Sequence, residues 1–575
     1  MKQDNLTGYP SADKPWLKHY NPDHVTAPLP TETLYEYLEA SNRNYPDDIA
    51  IHYLNKDITY GELLTRIDQC TRAFMALGVR RNDIVTLAMP NMPEMVYAVY
   101  ALNRLGVVSN MIHPLAGADE ICKNLNEVSS RVFLMFSGTY AIVKDKLSQT
   151  CVEKAIVVSP VESLSPVVKL LYRIKNGKEK LANDDERILS WKQFISGGQT
   201  LDLPAPQRAD NDMAFISHTG GTTGDSKSVI CSNLNFIAIG YQILEKRGGQ
   251  RQDCTMIHLP PFINYSLTTA ITSFSSGFRV LLIPHYKPEK MADYAYRFKV
   301  SFILSIPAYF EALLRVRDIP KDAFSSLKAV VSGGENIDVK IERKVNNLLR
   351  THGSPYDLDK GLGMTELTCG VTQTFPDCND EGSVGIPYIK TNCRIVEVGT
   401  DDEKTYDEIG EICYSTPSMM IGYYGNKQAT DEIIHTDADG TRWLHSGDLG
   451  YITRDGVIYV VGRIKRLIMI KDKDGLITKI FPDRIEQVIN AHPAVDVSCV
   501  VGVPDEQCIA WPKAFIVLHE NVEASQDVKD AILAHCSQSI PHYMVPRDIV
   551  FIKEMPRTDR GKIDYKQLEQ TSIEG

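Results

Sequence analysis

Four groups of residues have types and spacings that could do chemistry on a phosphorylated molecule. The first is Thr219-Gly220-Gly221-Thr222-Thr223-Gly224-Asp225-Ser226-Lys227. Its glycines let a backbone fold tightly and turn N–H groups toward an anion, while the hydroxyls and the lysine add donors for phosphate oxygens. The Gly-Lys-Ser/Thr ending of a Walker A loop is missing, and a polar turn between two strands fits the same letters. The second is Gly361-Leu362-Gly363-Met364-Thr365-Glu366. A carboxylate beside a threonine after glycines can hold Mg²⁺ against phosphates; taken alone, it also reads as a solvated Thr-Glu at a helix start. The third is Trp443-Leu444-His445-Ser446-Gly447-Asp448, whose aspartate, if buried, is a natural acceptor for a pair of hydroxyls and is otherwise a turn residue. The fourth is Lys562 in Arg557-Thr558-Asp559-Arg560-Gly561-Lys562-Ile563-Asp564. A lone lysine near a C-terminus is ordinarily a solvated charge.

Positioning such groups takes a large framework, and the chain has one. Its 575 residues are 43% hydrophobic and 23% charged, ordinary globular usage that excludes a disordered, collagen-like or coiled-coil chain and leaves room for several folding units. No apolar run reaches the length of a membrane span, and the first residues lack the apolar region of a secretory signal. Twelve cysteines without C-x-x-C spacing give no zinc or redox motif and suggest a reducing cytoplasm. A net charge of −11 argues against a nucleic-acid partner but not against a nucleotide substrate, which needs only local positive charge and backbone N–H groups.

Apolar strand patterns alternate with helical ones: 84–89 then 94–105, then 131–136 and 154–158, and again 256–259, 280–283, 302–306 then 308–315, and 329–332. This alternation predicts α/β architecture, with parallel or mixed sheets covered by helices, preceded by a helix over 31–44. From about 393 the texture turns β-rich. After Gly462-Arg463 a shorter unit begins, with an apolar run at 467–470, helices near 483–490 and 527–537, and a strand at 497–501. The predicted division is a large N-terminal domain, 1–464, that includes a small β subdomain, and a small α+β C-terminal domain, 465–575.

The glycine-rich loop resembles the phosphate loop of the ANL superfamily of acyl-CoA synthetases, adenylation domains and luciferases, T-S-G-T-T-G-x-P-K-G, from which it departs at Gly220, Ser226 and Ser228. Other motifs of that family follow in order. Gly333-Gly334-Glu335 looks like its adenine-binding turn. The segment around Glu366 looks like Y-G-x-T-E, with Leu362 where tyrosine is usual. Asp448 ends a segment similar to W-x-x-T-G-D, Gly462-Arg463-Ile464-Lys465 resembles the hinge, and the segment around Lys562 resembles the one that carries the catalytic lysine. The likeness runs from Thr59-Tyr60-Gly61-Glu62-Leu63 to Lys562, nearly the whole chain.

The resemblance implies a mobile C-terminal domain and two half-reactions. A carboxylic acid and ATP give an acyl-adenylate and pyrophosphate; then the small domain turns about Lys465 and a thiol releases AMP. It implies Lys562 at the carboxylate and α-phosphate, Lys227 with Thr222 and Thr223 at the β,γ-phosphates, Glu366 at Mg²⁺, and Thr365 beside it among the catalytic residues. It further implies Thr219, Gly220, Gly221, Gly224, Gly333, Gly334, Glu335, Gly361, Leu362, Gly363 and Met364 around the nucleotide, and Asp448 with Arg463 at the ribose. Coenzyme A is the expected thiol, since no carrier domain is attached; a separate carrier protein stays open.

Two departures bear on the substrates. Arg463 to Pro482 is longer than the family's usual spacing, with Lys471-Asp472-Lys473-Asp474-Gly475 between, and the loop concerned, 471–478, lines the thiol tunnel in the family. Phe262-Ile263-Asn264-Tyr265 stands at the acyl pocket, with Ile263 replacing a ring, while Asn264-Tyr265 is similar to aryl-acid enzymes in which the asparagine reads a ring hydroxyl. Against that, Lys14-Pro15-Trp16-Leu17-Lys18-His19-Tyr20 and the basic, amphipathic 166–180 resemble bacterial fatty acyl-CoA ligases. A medium- or long-chain fatty acid is therefore the expected acid, with an aryl acid as the alternative. Segment 166–180 could touch an anionic lipid surface or simply pack on its own domain. A nucleotide-binding relative without activity is the rival from another class, and the presence of Lys562, Glu366 and Asp448 argues against it.

Overall fold

The computed structural model describes the chain apart from residues 1–5, 165–167, 170, 171, 173, 175–184, 204, 206–211, 220–225, 472–476, 506, 507, 558–562 and 575. Two large sheets form the N-terminal part. One has nine strands, in the order Ile386–Pro387, Gly370–Gln373, Asp359–Gly363, Ala329–Ser332, Phe302–Ser305, Cys254–Ile257, Arg279–Leu282, Ile49–Tyr53 and Lys56–Thr59. The other has eight, in the order Gly422–Tyr423, Ser228–Ser232, Met213–His218, Val108–Met111, Ile84–Ala88, Val132–Phe136, Lys154–Val158 and Ile188–Ser190. Their central pairings are parallel, as is the edge formed by Ile188–Ser190, while both edges of the nine-stranded sheet and the Gly422–Tyr423 edge of the other are antiparallel. Strands such as Val108–Met111 and Ala329–Ser332 are buried at every residue, as expected where helices cover both faces of a sheet.

Two helices have no polar face to give to water. Pro93–Arg104 is buried at all but its last residue, and Asn264–Ser275 is buried at all but Tyr265. The first packs on Tyr60–Ala76, the second on Leu34–Asn42 and Asn233–Arg247, within one apolar core drawn from both sheets. Local caps set several boundaries. The helix expected over 31–44 spans Leu34–Asn42 because Thr33 and Glu36 form a capping box. Thr59 and Glu62 of the Thr-Tyr-Gly-Glu segment do the same for Tyr60–Ala76, satisfying N–H groups that the first helical turn leaves open.

The β-rich region from 393 is a five-stranded sheet of Asn392–Val396, Gly410–Ser415, Arg442–Ile452, Ile434–Thr436 and Ile458–Arg463. The next strand, Ile468–Lys471, belongs to another five-stranded sheet, with Ile477–Ile480, Ile509–Leu518, Val495–Asp505 and Asp548–Phe551. Arg466 is tied into that second unit by Asp483, Glu486 and the Val500 carbonyl. Burial works against its charge, but the two carboxylates hold it protonated. The change of sheet therefore falls at Arg463, Ile464 and Lys465. Ile468–Lys471 and Ile477–Ile480 pair antiparallel, Lys471 with Ile477 and Ile468 with Ile480, and residues 472–476 between them lie outside the described residues. All twelve cysteines are free, and only Cys151 is exposed. No described helix is long and apolar enough to cross a membrane. Most of 166–180 lies outside the described residues.

Candidate active site

The glycine-rich loop does not run from a strand into a helix. It joins Met213–His218 to Ser228–Ser232, which pair antiparallel, and its neck is closed by hydrogen bonds. The Thr219 N–H donates to the Lys227 carbonyl (3.0 Å), the Lys227 N–H to Thr219 Oγ1 (2.9 Å), and the Ser226 hydroxyl to the Thr219 carbonyl (2.7 Å). Gly220, Gly221, Thr222, Thr223 and Gly224 lie outside the described residues.

Ser228–Ser232 also pairs with the short strand Gly422–Tyr423, Tyr423 lying opposite Val229. This pairing brings in a residue that the sequence reading missed. The Tyr423 ring lies 4.6 Å below the Lys227 ammonium, and its hydroxyl donates to Glu366 Oε1 at 2.7 Å. Burial, and after it the Glu366 charge, push the Tyr423 phenol far above its ordinary range, so it stays a proton donor. Glu366 is buried, so the reading of a solvated Thr-Glu does not apply. It sits in the short turn Thr365–Leu367, which begins after an extended segment. At Gly363 an added Cβ would lie 2.0 Å from the Cys369 carbonyl oxygen, so only glycine lets the chain fold back there. Leu362 stands partly exposed on the same strand.

The acyl-pocket quartet adjoins this turn. Phe262 is buried against the His113 ring, and Ile263 precedes the helix as its N-cap. Asn264 is buried; its Oδ1 accepts from the Ser217 hydroxyl at 2.5 Å, and its amide donates toward the Thr365 carbonyl (3.5 Å) and Cys231 Sγ (3.8 Å). Tyr265 lies beside Gly333, where a Cβ would meet its ring at 3.4 Å. Gly334, at φ +85°, is in the left-handed region that favours glycine, which is why the turn can present its backbone edge. Contacts thus join Lys227, Tyr423, Glu366, Thr365, Asn264 and, through the next residue, Gly333.

On the β subdomain, Asp448 is buried and lies opposite Arg463 across two antiparallel strands. The Arg463 Nε is 2.8 Å from Asp448 Oδ1, so the two residues expected at the ribose meet each other. Lys465 is exposed at the change of sheet. Lys562 lies outside the described residues, but its flanks are informative. Arg557 and Ile563, on either side of it, form an isolated antiparallel bridge. Burial raises the Glu311 carboxyl, and Arg557 is the first charge that opposes it, while Glu335 adds to the rise. Arg557 therefore lies on the side of the large domain that carries the Gly333-Gly334-Glu335 turn. Lys340 of the large domain also donates to the Asn490 and Ala491 carbonyls of the small one, both at 2.9 Å.

The AMP-binding enzyme family model matches residues 38–424, and the model of the AMP-binding enzyme C-terminal domain matches 484–562. A Long-chain-fatty-acid--CoA ligase of Bacillus subtilis is 26% identical, over 98% of this chain and 99% of that one. Another, of Salmonella typhimurium, is 28% identical over 99% and 98%. The ATP-bound crystal structure of MatB from Rhodopseudomonas palustris superposes with a TM-score of 0.80 at 19% identity, over 94% of this chain and 98% of that one, which shows a common fold.

Proposed function

The chain belongs to the AMP-binding enzyme family and is an AMP-forming acid–thiol ligase, and we propose that it activates a medium- or long-chain fatty acid with ATP and passes the acyl group to coenzyme A. In the first step a carboxylate oxygen attacks the α-phosphorus and pyrophosphate leaves. In the second the thiol sulfur attacks the acyl carbon, the thiol proton is lost to solvent, and AMP leaves. The first step brings two anions together, so cations and oriented donors must stand where charge accumulates.

The residues of this chain divide that work. Lys227, Thr222 and Thr223 hold the β,γ-phosphates, and Thr219 with Gly220, Gly221 and Gly224 shapes their loop. Gly333, Gly334, Glu335, Gly361, Leu362, Gly363 and Met364 surround the base, and Asp448 with Arg463 receives the ribose. Lys562 is assigned to the carboxylate and α-phosphate in the first step, and Lys465 to the hinge that carries it away before the second. Residues 1–464 and 465–575 are then the two moving bodies. Glu366 suits a Mg²⁺ ligand: it is buried, one oxygen is fixed by Tyr423, and a hard cation prefers such oxygens. Bound between Glu366 and the phosphates, with Thr365 adjacent, the ion would neutralise phosphate charge.

One observation carries the choice of acid. Asn264, the residue that could read a ring hydroxyl, already has its carbonyl oxygen taken by Ser217 and its amide turned to Thr365 and Cys231. It behaves as a buried strut, which supports an acid without ring hydroxyls, as do the full-length fatty-acid relatives. The test is acid-dependent pyrophosphate release over a panel of fatty and hydroxy-aryl acids, with coenzyme A or a carrier protein as acceptor. Preference for fatty acids and coenzyme A supports the proposal; preference for an aryl acid or for a carrier rejects it.

A further inference from the structure

A second cluster of ligating side chains lies on the β subdomain and is not used by the reaction above. His435 and His445 come from neighbouring antiparallel strands. His435 lies opposite Trp443, so His445, two residues on, is its diagonal neighbour on the same face, and the two rings stand 4.1 Å apart. Asp401 closes over both from the turn after Asn392–Val396. Its Oδ1 is 3.0 Å from His435 Nδ1 and 3.1 Å from His445 Nε2.

The other face of His445 is equally committed. Its Nδ1 is 3.0 Å from Glu411 Oε2, on the strand whose Cys413 lies opposite His445. Carboxylates only accept hydrogen bonds, so both nitrogens of His445 face acceptors. Without a further cation this requires an imidazolium on His445 and a proton on His435 Nδ1, with the two rings in contact. A metal ion resolves the same geometry differently. The Nδ1–H of His445 donates to Glu411, which fixes the tautomer and turns the Nε2 lone pair toward Asp401 and His435. This is the carboxylate–histidine–metal arrangement that orients metal ligands in proteins.

The spacing also fits. With Zn–N distances of roughly 2.0–2.1 Å, adjacent ligands at the corners of a tetrahedron lie about 3.3 Å apart. The oxygen–nitrogen separations here fall a few tenths of an ångström short of that, and the three ligand atoms lie within 4.8 Å of one another. Asp401 is 53% and His435 38% exposed, so an ion can enter and water can take a fourth position. The Arg394 Nη2 is 3.4 Å from the same Asp401 oxygen, but this guanidinium is also bound by Asp437. By contrast, the ammonium of Lys246 sits 2.7 Å from Asp377 in a separate cluster, that of His19, Asp377 and Cys378, and disfavours a cation there.

We propose that Asp401, His435 and His445 form a binding site for a divalent transition-metal ion of the Zn²⁺ class, with Glu411 orienting His445 from behind. The ion displaces the proton from His445 Nε2 and the one between His435 and Asp401. Glu411 uses its other oxygen to accept the Gly447 N–H at 3.0 Å, so the site braces the turn that leads into Asp448.

The test uses the full chain after chelator treatment. Calorimetry with Zn²⁺ should give one ion per chain at micromolar or tighter affinity, and Co²⁺ should give the visible absorption of a four-coordinate ion. His435→Ala and Asp401→Asn should each weaken Zn²⁺ binding by tenfold or more, and Glu411→Gln by about ten- to a hundredfold. Glu366→Gln should leave it unchanged. Undiminished Zn²⁺ binding in both His435→Ala and Asp401→Asn, or no binding up to millimolar Zn²⁺, would overturn the proposal and leave an ion-pair network. Should either variant not fold, wild-type protein modified with diethyl pyrocarbonate decides: Zn²⁺ must protect His435 and His445, and unprotected modification rejects the site.

Discussion

Tyr423→Phe removes one hydroxyl from the site and leaves the ring. The lost bond is a 2.7 Å donation to a buried carboxylate oxygen. A hydrogen bond to a charged acceptor contributes about 1.5–3 kcal/mol net. If Glu366 must be fixed to act in the adenylation transition state, the change costs about ten- to a hundredfold in kcat/KM, at about 1.4 kcal/mol per tenfold. The Lys227 ammonium still sits over a phenyl ring, since its 4.6 Å contact is to the ring itself. Tyr423→Leu loses that contact too, adding about 0.5–2 kcal/mol, and should be slower than Tyr423→Phe. The assay is acid-dependent exchange between pyrophosphate and ATP over a range of Mg²⁺ concentrations. The expected signature is a reduced rate at low Mg²⁺, partly recovered as Mg²⁺ rises, with unchanged thermal stability of the small domain. Wild-type rates and Mg²⁺ dependence in Tyr423→Phe would refute the coupling of Tyr423 to Glu366 in catalysis.

Three further outcomes are expected. Asn264→Leu leaves the Ser217 hydroxyl without its acceptor, so the variant should lose about 1–3 kcal/mol of stability and fall equally on fatty and aryl acids; a selective loss with a hydroxy-aryl acid would return Asn264 to substrate recognition. Lys562→Ala should slow acyl-adenylate formation by about 10²–10³-fold while barely changing thioester formation from supplied acyl-adenylate; equal loss in both assays would contradict the two-conformation assignment. Burial pushes the Glu94 carboxyl up to about 7, a rise that its hydrogen bond to Ser163 only partly offsets. Because the folded value lies above the unfolded one, its contribution is complete below about pH 4.5 and is lost as the pH rises through 7, by about 3 kcal/mol in all. Urea unfolding should therefore show Glu94→Gln to be less sensitive than wild type to a change from pH 5 to 7.5, and identical slopes would reject this.

Much of the framework is local and could be read from the letters. Strand runs such as Lys154–Val158 and Ala329–Ser332 appear where unbroken apolar stretches lie between turn residues. Helix starts were less legible, because caps such as Thr33–Glu36 trim a helix by a few residues whatever its periodicity. The lysine of the glycine-rich segment and the glutamate after Gly363 could be picked out by residue type and spacing. What their surroundings do could not. Tyr423 reaches Glu366 only because a two-residue strand pairs with Ser228–Ser232 across the sequence, and nothing in Gly422-Tyr423 announces that partner. The Ser217 hydroxyl that bonds the Asn264 carbonyl oxygen comes from the strand Met213–His218, far from the Asn264 helix in the sequence, so this contact could not be read from the letters. The longer segment after the hinge bears on the fit of the thiol, and its residues 472–476 lie outside the described residues, between the paired strands Ile468–Lys471 and Ile477–Ile480.

The most direct test of the central claim follows an oxygen atom. A long-chain fatty acid labelled with ¹⁸O in both carboxyl positions is turned over with ATP, Mg²⁺ and coenzyme A, and the products are examined by mass spectrometry. Attack of the carboxylate on the α-phosphorus transfers one labelled oxygen to AMP, so the account predicts one ¹⁸O in AMP, none in pyrophosphate, and acyl-CoA formed in equal amount. Unlabelled AMP, or ADP and phosphate as products, would contradict it.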